Sequence, residues 1–399
     1  MEVTNATIRT VNGLTARWAG VVSDGTLFSA AGVWPLLGFL ADGADGAART
    51  ELAEVVGFPA QEAAYRAREF MATLGAIRGL DSALGLWTDR RLKVREEWEA
   101  GLPAGTRGEL SGDHPADRAT LDAWATERTG GLIDHMPVEL TDCTVLVLAS
   151  ALALRTKWLR PFEERYFRPK AGPWQGRALL GLRRRSVLLD RIGVADTPDG
   201  PVTELKVLGS TGIDVHLLLG EERMGPGQVL GAGVDILGGT HEVVPGPQLP
   251  YGDVGPGVRV EKERCVRPRP TTLRVMTAAY EVRAEHDLLT QSGLFGLTAA
   301  SDSRQGHFPG ICEYPPLFVE SAQQSAMARF GALGFEAVAV TSVGVSLTSA
   351  PERRYVTTTI RATFDRPFGF LAVHRPSRLV LAAGWVTDPK PYREGQESN

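Results

Sequence analysis

Histidine, cysteine and serine are the side chains with which this chain could hold a metal or attack a carbonyl, and their spacing supports neither. The seven histidines, His114, His135, His216, His241, His286, His307 and His374, stand singly, with no pair three or four residues apart. Each reads as a surface or satisfied core residue rather than as a ligand. Cys143, Cys265 and Cys312 form no C-x-x-C pair and no even disulfide framework. Cys143, just ahead of an apolar run, reads as a small core residue rather than a nucleophile. There is no G-x-S-x-G elbow, no H-E-x-x-H and no Gly-Lys dipeptide of a phosphate loop. Gly225-Pro226-Gly227-Gln228-Val229-Leu230-Gly231 nearly spells a dinucleotide loop, but its spacing is off by one and Pro226 lacks an N–H for phosphate, so a plain surface turn is the better reading. Arg183-Arg184-Arg185 and the set Arg259, Lys262, Arg264, Arg267 and Arg269 could meet a polyanion. Glu261 and Glu263 interrupt the second set, which favours a solvated face. No catalytic residue, metal site or cofactor is expected on these grounds.

Bulk properties narrow the field further. A net charge of −4 argues against a dedicated nucleic-acid binder. In 399 residues, 43% apolar and 23% charged, there is ample material for a deep core. The longest uncharged apolar run, residues 145–154, is about half a membrane span, so no membrane partner is expected. No basic region followed by an apolar stretch opens the chain, which reads as cytoplasmic and reducing, with export left as an open alternative.

Residues 32–40 are apolar almost all round and predict a buried helix, with Pro35 tolerable only near its first turn. Leu52, Val55 and Val56 predict a short helix ended by Gly57, and residues 60–76 a surface helix. A short strand is expected at 84–88. Asp113 and Pro115 open a helix through Leu121 and Trp124, closed by Gly130-Gly131. Residues 144–154 lack polar alternation, as a strand covered on both faces should. The second half is strand-rich, at 202–208, 213–219, 273–282, 356–362 and 378–386, while the Gly- and Pro-dense stretch 220–256 predicts irregular loops around shorter elements. Helices first and strands later, with no repeat or linker, predict an α+β class and one interlocked domain over 1–399.

Several separated blocks, in order, resemble the serpin family of protease inhibitors. They are Phe28-Ser29 with Gly43-Ala44-Asp45-Gly46 and Glu51-Leu52; Leu121-Asp122-Ala123-Trp124 with Thr129 to Ile133; and residues 145–154 followed by Lys157-Trp158 and Pro161-Phe162. The most specific is C-terminal: Leu317-Phe318-Val319, Gly334, Glu336, Phe364-Asp365-Arg366-Pro367-Phe368 and Gly384-Trp385-Val386-Thr387-Asp388-Pro389. The resemblance, to a bacterial-type member, implies a large mixed main sheet with smaller sheets and an exposed reactive loop at about 334–356. It also implies a mechanism in which a serine or cysteine protease is acylated on the loop, and the cut loop inserts into the main sheet before water releases the enzyme. Such a protein is a stoichiometric inhibitor or a binding protein and not an enzyme. A serine protease is its expected partner, and it is expected to be monomeric.

Counting from Gly334 as the family does places the bait bond at Thr348–Ser349, or at Leu347–Thr348 with a one-residue shift. The hinge is then Gly334, Phe335, Glu336, Ala337, Val338 and Ala339. On insertion Phe335, Ala337, Ala339 and Thr341 would face inward, where small residues are needed. The family has Thr or Ser at the position of Phe335. Overpacking costs about 1–3 kcal/mol, a delay of roughly 5- to 150-fold. A Glu/Lys pair below the hinge is replaced by Ala332 and Ala279, and the Asn, His and two Ser that line the sheet opening correspond to Ser150, Gln324, Ser29 and Gly32, near Trp158. The loop carries extra residues that include Glu352-Arg353-Arg354. The first reading is therefore a serpin-fold protein that has lost efficient insertion and acts as a binding or specialised scaffold. The second is a working suicide-substrate inhibitor, since bacterial serpins drift at these places, and the third a recruited enzyme using a pocket on the fold.

Overall fold

The stretch 30–43 has one charged side chain, and it forms the helix around which the rest is built. The computed structural model describes residues 4–142, 144–335 and 355–393. Among these residues the helices are α1 (Asn5–Ala19), α2 (Ala30–Gly43), α3 (Gly46–Val56), α4 (Ala60–Gly75), α5 (Glu96–Ala100), α6 (His114–Arg128), α7 (Pro226–Gly238) and α8 (Ser292–Phe295). Ser29 caps α2, and nearly every residue of that helix is buried, Pro35 included. Pro35 sits in the second turn, deeper than expected, where it withholds the donor that the carbonyl of Ala31 would otherwise receive. Gly57 ends α3 with φ +75°, a left-handed conformation that costs glycine little. Asp113 caps α6 by accepting from the Ala116 N–H at 3.2 Å.

The main sheet runs β3 (Arg107–Leu110), β2 (Leu80–Asp89), β4 (Leu146–Leu154), β16 (Ser321–Phe330), with β15 (Tyr280–Asp287) on the far side of β16. Two short strands, β5 (Thr156–Lys157) and β17 (Gly334–Phe335), extend it at one end. Every residue of β4 is buried, as its unbroken apolar run requires. Leu146, Leu148, Leu152 and Leu154 enter the large core that α2 fills, while Val147, Ala149 and Ala151 pack beneath α6 with Leu121 and Ala125. Trp87 meets Trp124 edge-on at 5.8 Å in that second layer. The predicted central strand is thus observed, starting at Leu146.

A second sheet runs β1 (Thr26–Phe28), β20 (Leu379–Val386), β19 (Phe368–His374), β10 (Ile213–Leu219), β9 (Val202–Val207), β8 (Ile192–Ala195), β11 (Val243–Pro245). A third runs β12 (Gly252–Gly255), β13 (Val258–Cys265), β18 (Tyr355–Thr363), β14 (Thr272–Ala278), β7 (Leu179–Ser186), β6 (Glu163–Phe167). The class is α+β, with six of the helices before residue 129.

One expectation needs correction and another becomes more specific. The single strand expected at 273–282 is two strands in different sheets. At the break, Ala279 donates to the Leu180 carbonyl and accepts from the Lys390 N–H, both at 2.8 Å, so the chain passes from the third sheet into the main one. The stretch 220–256, expected as irregular loops around shorter elements, contains α7 as one such element, and a helix rather than a strand. Its Gly and Pro are helix boundary signals rather than breakers: Pro226 occupies the first turn, the Gln228 side chain accepts from the Gly225 N–H at 2.9 Å, and Gly239 closes the helix at φ +80°. The near-dinucleotide loop is therefore a helix start, packed so closely that a Cβ on Gly227 would lie 2.9 Å from the Ala19 carbonyl oxygen.

Candidate functional site: the main-sheet seam and hinge

The seam between β4 and β16 carries the residues that the resemblance assigns to a sheet opening. The two pair in parallel from Ser321 opposite Val147 to Met327 opposite Ala153, an uninterrupted ladder of seven positions. Beneath it lies a buried polar cluster in an apolar core. The Ser29 N–H donates to Gln324 Oε1 at 2.8 Å, Gln324 Nε2 donates to the Ser29 carbonyl at 2.9 Å, and Ser150 Oγ lies 3.5 Å from Gln324 Nε2. Ser29 Oγ accepts from the Gly32 N–H at 3.0 Å and donates to the Leu381 carbonyl at 2.6 Å. One amide thus ties the start of α2 to β16, and one hydroxyl ties it to β20. The cluster leaves no room for a side chain at 32, since a Cβ there would sit 2.7 Å from Ser150 Oγ. Ser29, Ser150, Gln324 and Gly32, grouped by resemblance alone, do come together. The Leu381 carbonyl is a partner that no side-chain pattern could have revealed.

At the far end of β16 the chain turns through Gly331, Ala332 and Leu333 into β17. Trp158 holds this turn: its ring N–H donates to the Gly331 carbonyl and its backbone N–H to the Leu333 carbonyl, both at 2.9 Å. The Phe162 N–H donates to the Ala332 carbonyl at 2.8 Å. β17 pairs antiparallel with both Phe330 and β5, Gly334 opposite Lys157 and Phe335 opposite Thr156. Phe335 is 1% exposed. Its ring is 6.1 Å from Phe370, in a cluster where Tyr280 stacks on Phe330 at 5.2 Å and approaches Phe370 at 5.1 Å. Tyr280 is fully buried, its hydroxyl has no partner among the described residues, and burial pushes its phenol well above the ordinary value.

The loop boundaries of 334–356 are corrected accordingly. Gly334 and Phe335, expected to be exposed, are buried strand residues, because the aromatic ring finds a core site and the backbone a pairing edge on β5. Tyr355 and Val356 already belong to β18. Phe335 is also not waiting for insertion to become a core residue, since it is one already. Glu336, Ala337, Val338, Ala339 and Thr341 of the hinge, the bait residues Leu347, Thr348 and Ser349, the extra residues Glu352 to Arg354, and Cys143 lie outside the described residues.

Ala332 and Ala279 are buried, at 3% and 2% exposure, where no charge could be placed cheaply. A different ion cluster stands close by. Arg329 and Glu281 are direct cross-strand neighbours on β16 and β15 and pair at 2.9 Å, and Lys390 Nζ reaches the same Glu281 oxygen at 2.9 Å. The hydrogen bond from Arg329, with help from Lys390, outweighs partial burial and holds the Glu281 carboxyl down to about 2. Strand register brings these residues together, and nothing in their spacing announces it.

The other candidates are structural. His216 Nδ1 sits 2.7 Å from buried Glu204, and His286 Nε2 lies 3.0 Å from the Leu27 carbonyl. Arg259 pairs with Asp253, and Arg269 with Glu263. Among the described residues no group of His, Cys, Asp or Glu could hold a metal ion. No helix there is long and apolar enough to cross a membrane.

Comparison with known proteins agrees with this architecture. Residues 7–171 match the family model for serpins, the serine protease inhibitors. The putative serpin-Z6C of Oryza sativa subsp. japonica is 24% identical over 393 residues, 91% of this chain and 90% of the relative. A serine protease inhibitor of Cyanea capillata is 22% identical over 320 residues, 77% of this chain and 76% of the relative. Neither organism supports the bacterial-type qualifier. Among solved structures, a serpin from the trematode Schistosoma haematobium superposes with TM-score 0.71 at 14% identity, covering 97% of this chain and all of the other. Human thyroxine-binding globulin in complex with its ligand gives 0.72 at 16%, covering 97% and 99%. Tengpin, a thermophilic serpin in its native state, gives 0.71 at 14%, covering 97% and 94%. The chain has the serpin fold and, over residues 7–171, the serpin family's sequence pattern.

Proposed function

We propose that this protein is a serpin that keeps its hinge anchored outside the main sheet and acts as a binding or specialised scaffold protein rather than an efficient suicide inhibitor. The observation that carries this reading is the burial of Phe335. Insertion of the segment after Gly334 between β4 and β16 requires β17 to leave β5 and Phe335 to leave its cluster with Phe370. Withdrawing a buried Phe side chain costs about 1.5–3 kcal/mol, and about 1.4 kcal/mol is a factor of ten in rate. A delay of that size at the first step lets water release the acylated protease. The fold is compatible with a binding role: thyroxine-binding globulin is a ligand-binding protein of the same architecture.

A working inhibitor of a serine or cysteine protease, with its bait bond near Thr348–Ser349, is the second reading. The organised cluster of Ser29, Gln324 and Ser150 beneath the seam favours it, as do relatives named as serine protease inhibitors. A recruited enzyme is the weakest, with no catalytic constellation among the described residues. One domain over the whole chain, a monomeric state and a cytoplasmic location complete the proposal. Mixing the protein with proteases of varied specificity decides between the first two readings. Cleavage without an SDS-resistant complex is expected, and a stable covalent complex at near-equimolar stoichiometry would overturn the first in favour of the second.

A further inference from the structure

Strand alternation splits the Arg183-Arg184-Arg185 run on β7. Arg183 turns to Glu163 on β6 and pairs with it at 2.7 Å, whereas Arg184 points to the opposite side. There its guanidinium lies over the Phe162 ring, 4.3 Å from the centroid, and donates to the Arg160 carbonyl at 3.1 Å. Among the described residues no carboxylate pairs with Arg184 or with the Arg160 side chain. The nearest same-face acid on the neighbouring strand is Glu164, opposite Leu182. Burial raises the pKa of that carboxyl, and among the described residues it forms no ion pair with Arg184. Arg191, in the 3-10 turn Leu189–Arg191 that follows β7, brings a third cation. Among the described residues its acid is Asp190 at 3.4 Å, more than half exposed, and its own Nε is buried with no partner there. Arg184 is thus stacked on Phe162 and held against the Arg160 backbone, and Arg191 carries a buried donor that no described residue meets.

We propose that Arg160, Arg184 and Arg191 form a binding site for a tetrahedral oxyanion, a sulfate or phosphate group. Guanidinium donors suit such a group because their fork geometry matches two oxygens at once. The ring of Phe162, itself 5% exposed, fixes the plane of Arg184 and so removes a rotamer that binding would otherwise have to freeze. Desolvation, followed by the charges of Arg160 and Arg191, pulls Arg184 down to about 10, and a bound anion would offset the repulsion among these cations. The group could be a free anion or an ester on a larger molecule such as a sulfated oligosaccharide.

Calorimetric titration of the intact protein with inorganic phosphate, inorganic sulfate and a sulfated oligosaccharide, in chloride buffer at constant ionic strength, tests the site. Saturable binding of the small anions is expected. It should weaken by about tenfold or more in Arg184→Met, which keeps an unbranched apolar side chain over Phe162. Arg191→Gln serves as an independent second variant, with thermal unfolding checking that both fold. Tighter, equally Arg184-dependent binding of the oligosaccharide supports the site and identifies an ester as the source. Absence of saturable binding to any of the three, or affinities equal in wild type and both variants, overturns the proposal.

Discussion

Gly32 is where the polar cluster under the seam is most sensitive to one atom. Its would-be Cβ lies 2.7 Å from Ser150 Oγ and 3.3 Å from Gln324 Nε2, both on strands of the main sheet. Gly32→Ala is expected to destabilise the protein by about 1–3 kcal/mol, the usual cost of overpacking a filled interior. Removing the clashing hydroxyl with Ser150→Ala should recover part of that loss. Denaturant unfolding of the two single variants and the double variant measures both, and an unchanged midpoint for Gly32→Ala would show that the cluster yields freely. Gln324→Leu probes the same cluster from the other side. It leaves the Ser29 N–H buried without its acceptor, while the Ser29 carbonyl keeps the Gly32 N–H, and an unsatisfied buried polar group costs about 1–3 kcal/mol. Destabilisation should therefore be larger in Gln324→Leu than in Ser150→Ala, whose Oγ makes only one long contact with the amide.

At the scale of elements, Glu281, Arg329 and Lys390 join β15, β16 and the segment after β20. Glu281 sits at about 2 in the folded protein against an ordinary 4.5. A depressed carboxyl contributes stability that is present above about pH 4.5 and is lost as pH falls toward 2. The stability difference between wild type and Glu281→Gln should be flat from neutral pH down to about 5, shrink below 4.5 and be gone near 2. A difference of zero at neutral pH, or one that does not change with acid, would mean the cluster contributes nothing through that charge. These three residues also mark the limit of what the sequence reveals. β4 was legible because an unbroken apolar run has few other uses, and the polar set at the seam was legible through motifs that fix positions along the chain. The pairing of residues 281 and 329 depends on which rung of β15 meets which rung of β16, and local pattern carries no register between them. α7 is hard to place for a different reason: Gly and Pro mark both turns and helix ends, and Pro226 and Gly239 stand where a helix tolerates them. Phe335 was read for the strand it would join on insertion. Its partner in the described state, Phe370 on β19, lies 35 residues further along a chain whose path between them spacing could not supply.

For the whole molecule the question is which of two arrangements of the same chain lies lower, and by how much. An inserted strand between β4 and β16 would add two hydrogen-bonded edges to the main sheet, a large gain in a mechanism that depends on it. Against this stands the site that Phe335 already fills, with a pairing edge on β5 and a ring among Phe330, Tyr280 and Phe370. Phe335→Thr acts on both sides of that balance. It weakens the uncut protein, since emptying a buried Phe site costs about 3–5 kcal/mol for truncation to Ala and less where a smaller side chain partly fills it. It also removes the bulk that would overpack an inserted strand. Loop cleavage of the wild type should therefore raise its unfolding temperature only slightly, whereas cleavage of Phe335→Thr should raise it substantially, from a lower starting point. Scanning calorimetry of cut and uncut samples of both proteins reads all four values. A large gain on cleavage of the wild type would mean that Phe335 leaves its cluster readily and is accommodated elsewhere. Inhibition by insertion would then replace the binding role as the first reading.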